Sequence, residues 1–315
     1  MWQYVIRKLL WNIPVYLGIL LVVMLALRVN DPVWGRLGKN ATQEQYEKEK
    51  EALGLKPSLW VQYGKLLWGF DLDRESWDKK GRTVEQELSQ AVWPSFWIAL
   101  PALVLTTLIA LATALLAAFR RGRALDRWLM AGAVVGMSIS YVVYIIFGQY
   151  FGAYKLSEWT GTKVFAIQGY DTARPFWWVH FCVLPVLINA VLAVGYDARF
   201  YRAVIVEEAT RDHVRTARAK GLTERAVMLK HVLRNALIPV ITHVMITLPF
   251  LVAGEILIEV YFNIPGMGRT LITAILGRDF PIVQGFTAVF AAIFILTNIL
   301  TDVLYALVDP RVRLS

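Results

Sequence analysis

A single cysteine, Cys182, stands in the chain of 315 residues, which excludes an intrachain disulfide framework; its apolar neighbours favour plain packing. Histidine is nearly as scarce. His180, His213, His231 and His243 are scattered without the spacing of a ligand set, which argues against a metal centre. Charge is sparse at 18% of residues, against 57% hydrophobic and a mean hydropathy of +0.49, a balance too apolar for a soluble domain of this length. The motifs of catalysis are also missing. Gly35 to Asn40 holds a Gly-Lys pair without the full GxxxxGK[ST] pattern, and neither GxSxG, HExxH nor a paired-carboxylate arrangement occurs. The chain is therefore read as a non-catalytic membrane protein, without a cofactor of its own, and any energy that drives it must come from elsewhere.

What is present is a series of long apolar runs. Leu9 to Leu27 is read as an uncleaved first span following Arg7 and Lys8, against a cleaved leader, because LALRVNDP is a poor cleavage site. Trp97 to Phe119, Trp128 to about Tyr150, Trp177 to Tyr196, about Leu237 to Tyr261, and about Val283 to Tyr305 complete six expected spans. Gly132 and Gly136 give the third small-xxx-small spacing, compatible with close helix packing. The fold class is all-α membrane protein, divided into residues 1–27 (leader and first helix), 28–94 (an extracytoplasmic helical insertion) and 95–315 (a five-helix core).

The insertion should carry an exposed helix over Gln43 to Ala52 and an amphipathic one over Ser58 to Phe70. It is read as a cap packed on the spans, with cargo reception from an outer partner as the alternative. Residues 151–176 form a polar-aromatic loop. Pro265, Gly266 and Gly268 force a turn after the fifth span, followed by a short helix from Thr270 to Gly277.

Charge sets the expected orientation. Segments 1–8, 119–127 and 197–235 carry net charges of +2, +3 and +4, whereas 28–94, 151–176 and 260–283 carry 0, +1 and +1. The positive-inside tendency places both termini and the segment 197–239 in the cytoplasm. The same distribution, without zinc-finger or homeodomain-like patterns, argues against nucleic acid as the reason for the net +9.

Segment 197–239 is the main polar interruption. It reads as two short helices hinged at Gly221, with Thr223 capping the second, which carries Val227, Leu229, Val232 and Leu233; Ala217 and Ala219 keep the turn slim. Two readings stand: a topological connection, or a rigid element that docks on a soluble energy-supplying subunit and passes its motion into spans four and five. Glu255 and Glu259 share one helical face within span five. Each either bonds the nearby loop or, for Glu255 above all, lines a translocation path and attracts a cationic or amino-terminal group. Asp302, Arg199 and Arg202 are read as residues reaching the interface.

The run RTARAKGLTERAVMLKHVLRNALIPV, residues 215–240, closely resembles the cytoplasmic signature of bacterial ABC importer permeases of the dipeptide/oligopeptide/nickel branch. LGLKPSLWVQYGKLL at 53–67, EVYFNIPGMGRTLITAILGRDFPIVQG at 259–285 and LTDVLYALVDPRVR at 300–313 resemble the same branch. The resemblance implies an ABC importer permease fold, a homologous sister permease, two cytoplasmic ATP-binding subunits and an extracytoplasmic solute-binding protein. It implies ATPase coupling through Thr216, Ala217, Ala219, Lys220, Gly221 and Leu222, with Leu237, Ile238 and Pro239 at the return to the membrane. Asp309, Pro310 and Arg311 match the cytoplasmic terminus. The implied location is the bacterial inner membrane, and the implied cargo is a di- or oligopeptide, with nickel chelates or another small solute as the alternative; a non-transporting scaffold is the rival class. Arg215 stands where the general importer signature begins Glu-Ala-Ala, and Ser138 to Tyr144 departs from the branch's Pro-Ser-Phe-Trp-like run.

Overall fold

The computed structural model describes residues 2–29, 31–37, 41–69, 72–253 and 255–308. The expected terminus at Asp309 to Arg311 lies outside them. Among the described residues four helices are long and apolar enough to cross a bilayer, and a bent pair makes a fifth.

The first, α1 (Trp2–Ala26), is 25 residues long, about 38 Å at 1.5 Å per residue. It packs along the last helix with Leu20 and Met24 buried. Asp302, expected to reach the interface, instead pairs with Lys8 and accepts from the Tyr4 hydroxyl at 2.9 Å. A carboxylate near the end of an apolar helix is held by a cation from its neighbour, because an isolated one would be costly there.

Three short helices cap one end: α2 (Pro32–Leu37), α3 (Gln43–Ala52) and α4 (Leu59–Gly69). The α3 helix begins at Thr42 with a reciprocal capping box to Gln45. The α4 helix is amphipathic as expected. Its Leu66 packs with Leu20 and Ala288, Tyr63 donates to the Leu17 carbonyl at 2.8 Å, and Trp60 and Trp68 point outward.

The second long helix, α5 (Val84–Phe119), has 36 residues and starts well before Trp97. Thr83 supplies the reason, closing a capping box with Gln86. At about 54 Å the helix exceeds the hydrocarbon core of roughly 30 Å. Its first turns rise into the cap, where Lys79 and Arg82 hold the buried Glu87. Residues 73–83 are tied down by Asp279, which accepts from Ser76 Oγ and from the Trp77 amide at 3.2 Å.

The expected third span is broken. Helices α6 (Ala124–Ser138) and α7 (Tyr141–Thr160) meet at a bend of 94°, with Ile139 and Ser140 extended between them. The Tyr144 hydroxyl donates to the Gly136 carbonyl at 2.9 Å, and Ser138 Oγ to that of Val134 at 2.7 Å. These bonds occupy carbonyls at the interruption, as an apolar environment requires. Helix α7 continues through a π-helical stretch, Gly148–Lys155, so part of the expected 151–176 loop is helical.

After α8 (Trp177–Phe181), α9 (Val183–Glu208) runs 26 residues against α5. The α5 ridge there is alanine, with Ala110, Ala114 and Ala117 fully buried, which permits close backbone approach. The small residue that matters against α6 is Gly195: a Cβ there would lie 2.9 Å from the Ala133 carbonyl. Gly132, by contrast, faces open space and Gly136 meets only the Tyr144 hydroxyl, so the expected small-residue pair is not where α6 packs. Arg202 departs from expectation as well. Its guanidinium forks the buried Asp126 with two bonds of 2.6 Å, fastening α9 to α6, while Gly122 N adds a third at 2.9 Å.

Beyond α10 (Asp212–Ala219), residues 224–253 form one helical run, α11, through a π-helical Val227–Val232 into Leu233–Ala253. The 21-residue Leu233–Ala253 segment, about 31 Å long, replaces an unbroken span to Tyr261. Helices α12 (Ile256–Tyr261), α13 (Met267–Gly277) and α14 (Phe280–Val308) complete the chain.

Arg202→Gln would leave the Asp126 carboxylate buried without its cation, a loss of about 3 kcal/mol. Thermal unfolding in detergent should show a lower midpoint, partly restored by adding Asp126→Asn.

Candidate functional site

Two places combine the residues singled out from the sequence. One is the polar hairpin. It is shorter than residues 197–239, because α9 continues to Glu208 and α11 starts at Glu224. Between them lie the turn at Ala209 to Arg211, α10, and the turn at Lys220 to Leu222.

Gly221 has φ +79°, the left-handed region that an L side chain enters only at a cost. Thr223 follows as N-cap, its hydroxyl accepting from the Ala226 amide at 3.4 Å. Arg218 spans the turn, forking Glu224 at 3.0 and 2.7 Å and reaching the Ala209 carbonyl at 3.3 Å. That pair holds the Glu224 carboxyl below the ordinary glutamate range and raises the Arg218 guanidinium above its own.

The two sides of α10 differ. Val214 and Ala217 are buried with Val227, Met228 and Val232 in a cluster that extends to Ala110 and Ala114 of α5 and Ala198 and Ile205 of α9. Thr216, Ala219, Lys220, Gly221 and Leu222 are exposed. Of the six residues grouped in the sequence, five therefore form an outer rim, and Ala217 belongs to the packing beneath it. The apolar cluster makes the hairpin a rigid extension of three long helices rather than a slack loop.

The second place lies where two helix breaks meet. Glu255 has φ −98° and ψ 76° and caps α12, so Glu255 and Glu259 do not share one face of an uninterrupted helix. Glu259 is fully buried. It accepts from Ser95 Oγ, from the Arg269 amide at 2.9 Å and from the Glu255 amide at 3.3 Å. Ser95 Oγ in turn accepts from the Met267 amide at 2.8 Å. The carboxylate thus joins α5, α12 and the first turn of α13. Gly266 is required beside it, since a Cβ would come within 2.3 Å of the Glu259 carboxyl carbon. The loop-bonding reading accounts for Glu259.

Glu255 is differently placed. Tyr141, the first residue of α7, donates toward Glu255 at 3.3 Å and toward Asn189 Oδ1 of α9 at 3.0 Å. A hydroxyl has one proton for these two acceptors. The buried Asn189 amide lies beside the Glu255 carboxylate, and its Nδ2 has no partner at hydrogen-bonding geometry. Glu255, Tyr141 and Asn189 therefore form a polar cluster with donor capacity to spare, lodged between segments that a continuous helix would have kept apart. Closer to the hairpin, His243 of α11 lies 3.1 Å from Asp197 of α9.

Tyr141 and Asn189 were not singled out in the sequence. Asn189 carried a signal, as a lone amide inside the apolar run VLPVLINAVLAV. Tyr141 lies in the Ser138 to Tyr144 run that departs from the resembled pattern, but its role depends on a helix break that the sequence does not announce.

With this geometry in view, the comparison with known proteins is decisive. The family described as "Binding-protein-dependent transport system inner membrane component" matches residues 110–314. The chain belongs to this family. The permease is also 32% identical over 318 residues to "Probable peptide ABC transporter permease protein y4tP" of Sinorhizobium fredii, covering 98% of this chain and 99% of the relative. It is 34% identical over 319 residues to the glutathione transport system permease protein GsiC of Pectobacterium atrosepticum, covering 99% of each. The GsiC protein of Shigella flexneri is 33% identical over 322 residues, again with 99% of each covered. The permease is accordingly a multi-pass inner-membrane transport subunit of the peptide-type ABC importer class, and ATP hydrolysis resides on partner subunits.

The two carboxylates should separate experimentally. Glu259→Gln puts an amide among three donors and should lower the thermal midpoint by several degrees, whereas Glu255→Gln should leave it nearly unchanged.

The Arg218–Glu224 pair gives a second test. Because the folded Glu224 pKa is lowered, its stabilising contribution is present above the unfolded value of about 4.3 and fades as pH falls through the lower folded value. Both side chains are partly exposed, so the effect is small. Hydrogen exchange of amides 212–226 should therefore speed up modestly, beyond its intrinsic pH dependence, only below about pH 4.

Proposed function

We propose that this permease pairs with a homologous sister permease to form a path for di- or oligopeptides. Cargo arrives from an extracytoplasmic solute-binding protein, and two cytoplasmic ATP-binding subunits drive the change in access. Both termini and the hairpin face the cytoplasm, in keeping with the positive charge of segments 1–8, 119–127 and 197–235.

The observation that carries this reading is the construction of the hairpin. An exposed rim from Thr216 to Leu222 sits on a short helix whose other face is buried in the cluster shared by α5, α9 and α11. A partner that displaces such a rim moves three long helices, because packed apolar surfaces shift as units instead of deforming continuously. ATP binding closes the paired ATPases, the hairpins follow, and the central cavity changes the side it faces. Cargo crosses without covalent change. Thr216, Ala219, Lys220, Gly221 and Leu222 make the contact, and Ala217 sets how close α10 lies to α11.

Peptide cargo is supported by the peptide and glutathione permeases among the relatives. Glu255 is assigned to the path, where its carboxylate attracts the protonated amino terminus of a peptide. Tyr141, whose hydroxyl also reaches Asn189, orients it.

Vesicles holding the permease, its sister and the ATPases, supplied with binding protein, test the coupling. Gly221→Glu should abolish ATP-dependent peptide uptake and ATPase association, whereas Gly221→Asn, which tolerates the left-handed backbone, should retain most of both. Full uptake by the glutamate variant would exclude the hairpin as the coupling element. Glu255→Gln should lower uptake of free peptides about tenfold and leave N-acetylated peptides unaffected; equal effects on both would remove Glu255 from this role.

A further inference from the structure

Residues 161–176, with the ends of α7 and α8, enclose an open cavity of about 920 Å³, within the range of small-ligand sites, roughly 300–1,000 Å³. It lies beyond the start of α9, whereas the hairpin follows the end of that helix. Its 26 residues separate the two by about 39 Å. On the import reading, this is the face that receives cargo.

The loop bounding the cavity is braced from several sides. Gln149 Nε2 donates to the Ile167 and Tyr261 carbonyls at 3.0 Å each, the Gly169 amide to Phe262 O at 2.8 Å, and the Ala166 amide to His180 O at 2.8 Å. The His180 ring performs a second task. Its Nδ1 lies 2.9 Å from the Val164 carbonyl, which can only accept, so Nδ1 carries the proton. Nε2 is then an acceptor, and Arg174 Nη1 donates to it at 2.9 Å. A neutral imidazole thus aims a guanidinium into the cavity without neutralising it.

Among the described residues neither Arg174 nor Lys163 is within ion-pair distance of a carboxylate; the lining glutamate, Glu158, is engaged by Lys155 at 2.7 Å. The remaining wall sets aromatic and apolar side chains, Tyr154, Phe165, Ile167 and Phe181, among the polar Ser157, Thr162 and Gln168. Two cations with no carboxylate in ion-pair range, beside Phe165, Ile167 and Phe181, match an anionic group carried next to a hydrophobic side chain.

We infer that this cavity is a receiving site for the free C-terminal carboxylate of a short peptide, with Arg174 and Lys163 as its contacts and His180 as the residue positioning Arg174. The inference rests on the import reading for its cargo but is tested by binding alone. It complements Glu255, placing recognition of the two peptide termini at different depths of the same chain.

The test uses the assembled permease pair with its ATPases in lipid nanodiscs, without binding protein, and measures affinity for Ala-Ala-Phe and for its C-terminal amide. The free acid should bind about tenfold more tightly, as expected for a charge-assisted contact. Arg174→Gln and Lys163→Gln should each remove most of that preference, and Arg174→Lys should keep part of it. His180→Phe should weaken acid binding and His180→Gln, which can both donate and accept, should restore it.

Equal affinity for acid and amide, or no binding of either at millimolar concentration, would overturn the inference. So would a preference that survives both charge removals. If Arg174→Gln instead weakens docking of the binding protein and leaves the peptide preference intact, the cations serve a protein contact and the inference fails. A wild-type complex that shows the preference but imports no peptide in vesicles would refute the import reading and not this site.

Discussion

In hydrocarbon every backbone amide and carbonyl must find a partner within the protein. This constraint governs where the permease can bend. Its long helices satisfy it internally, and each interruption is tolerated only where other groups take over. At Ile139 and Ser140 the Tyr144 and Ser138 hydroxyls cover nearby carbonyls. Near Glu255 the backbone amide is met by the Glu259 carboxylate, which also holds Ser95 and the first turn of α13. The polar residues of the membrane region thus serve first to make broken helices possible.

The breaks are where function can enter. A continuous helix presents only its side-chain surface, but two interrupted ones brought against α9 place Tyr141, Asn189 and Glu255 together with an unpartnered amide. Glu259, four residues away, is saturated by contrast. The two glutamates differ because one is enclosed by donors from three elements, and the other faces a single shared hydroxyl and an amide with capacity left over.

The same logic extends along the molecule. Alanines on α5 allow α9 to lie close, and the cluster they form continues into the hairpin through Val214, Ala217, Val227 and Val232. Asp126 and Arg202 lock the neighbouring α6 to α9. Movement applied at the exposed rim from Thr216 to Leu222 therefore meets a stiff body. At the far end of α9 the braced loop carrying Arg174 and Lys163 packs on a separate apolar cluster through Phe165, Ala166 and Tyr170.

The sequence alone determined that the chain is helical and membrane-embedded, roughly where its apolar segments lie, and that Gly221 and Thr223 turn and cap the hairpin. These properties follow from local rules: apolar length, turn chemistry and capping act within a few residues. The capping box at Thr83 was equally local and could have revealed the early start of α5. Tertiary structure alone decided the 94° bend in the third segment, the separation of Glu255 from Glu259, the burial of Ala217 and the pairing of Arg202 with Asp126. Each depends on a partner distant in sequence, because a break, a buried carboxylate or a hidden methyl is stable only when another element arrives to satisfy or cover it.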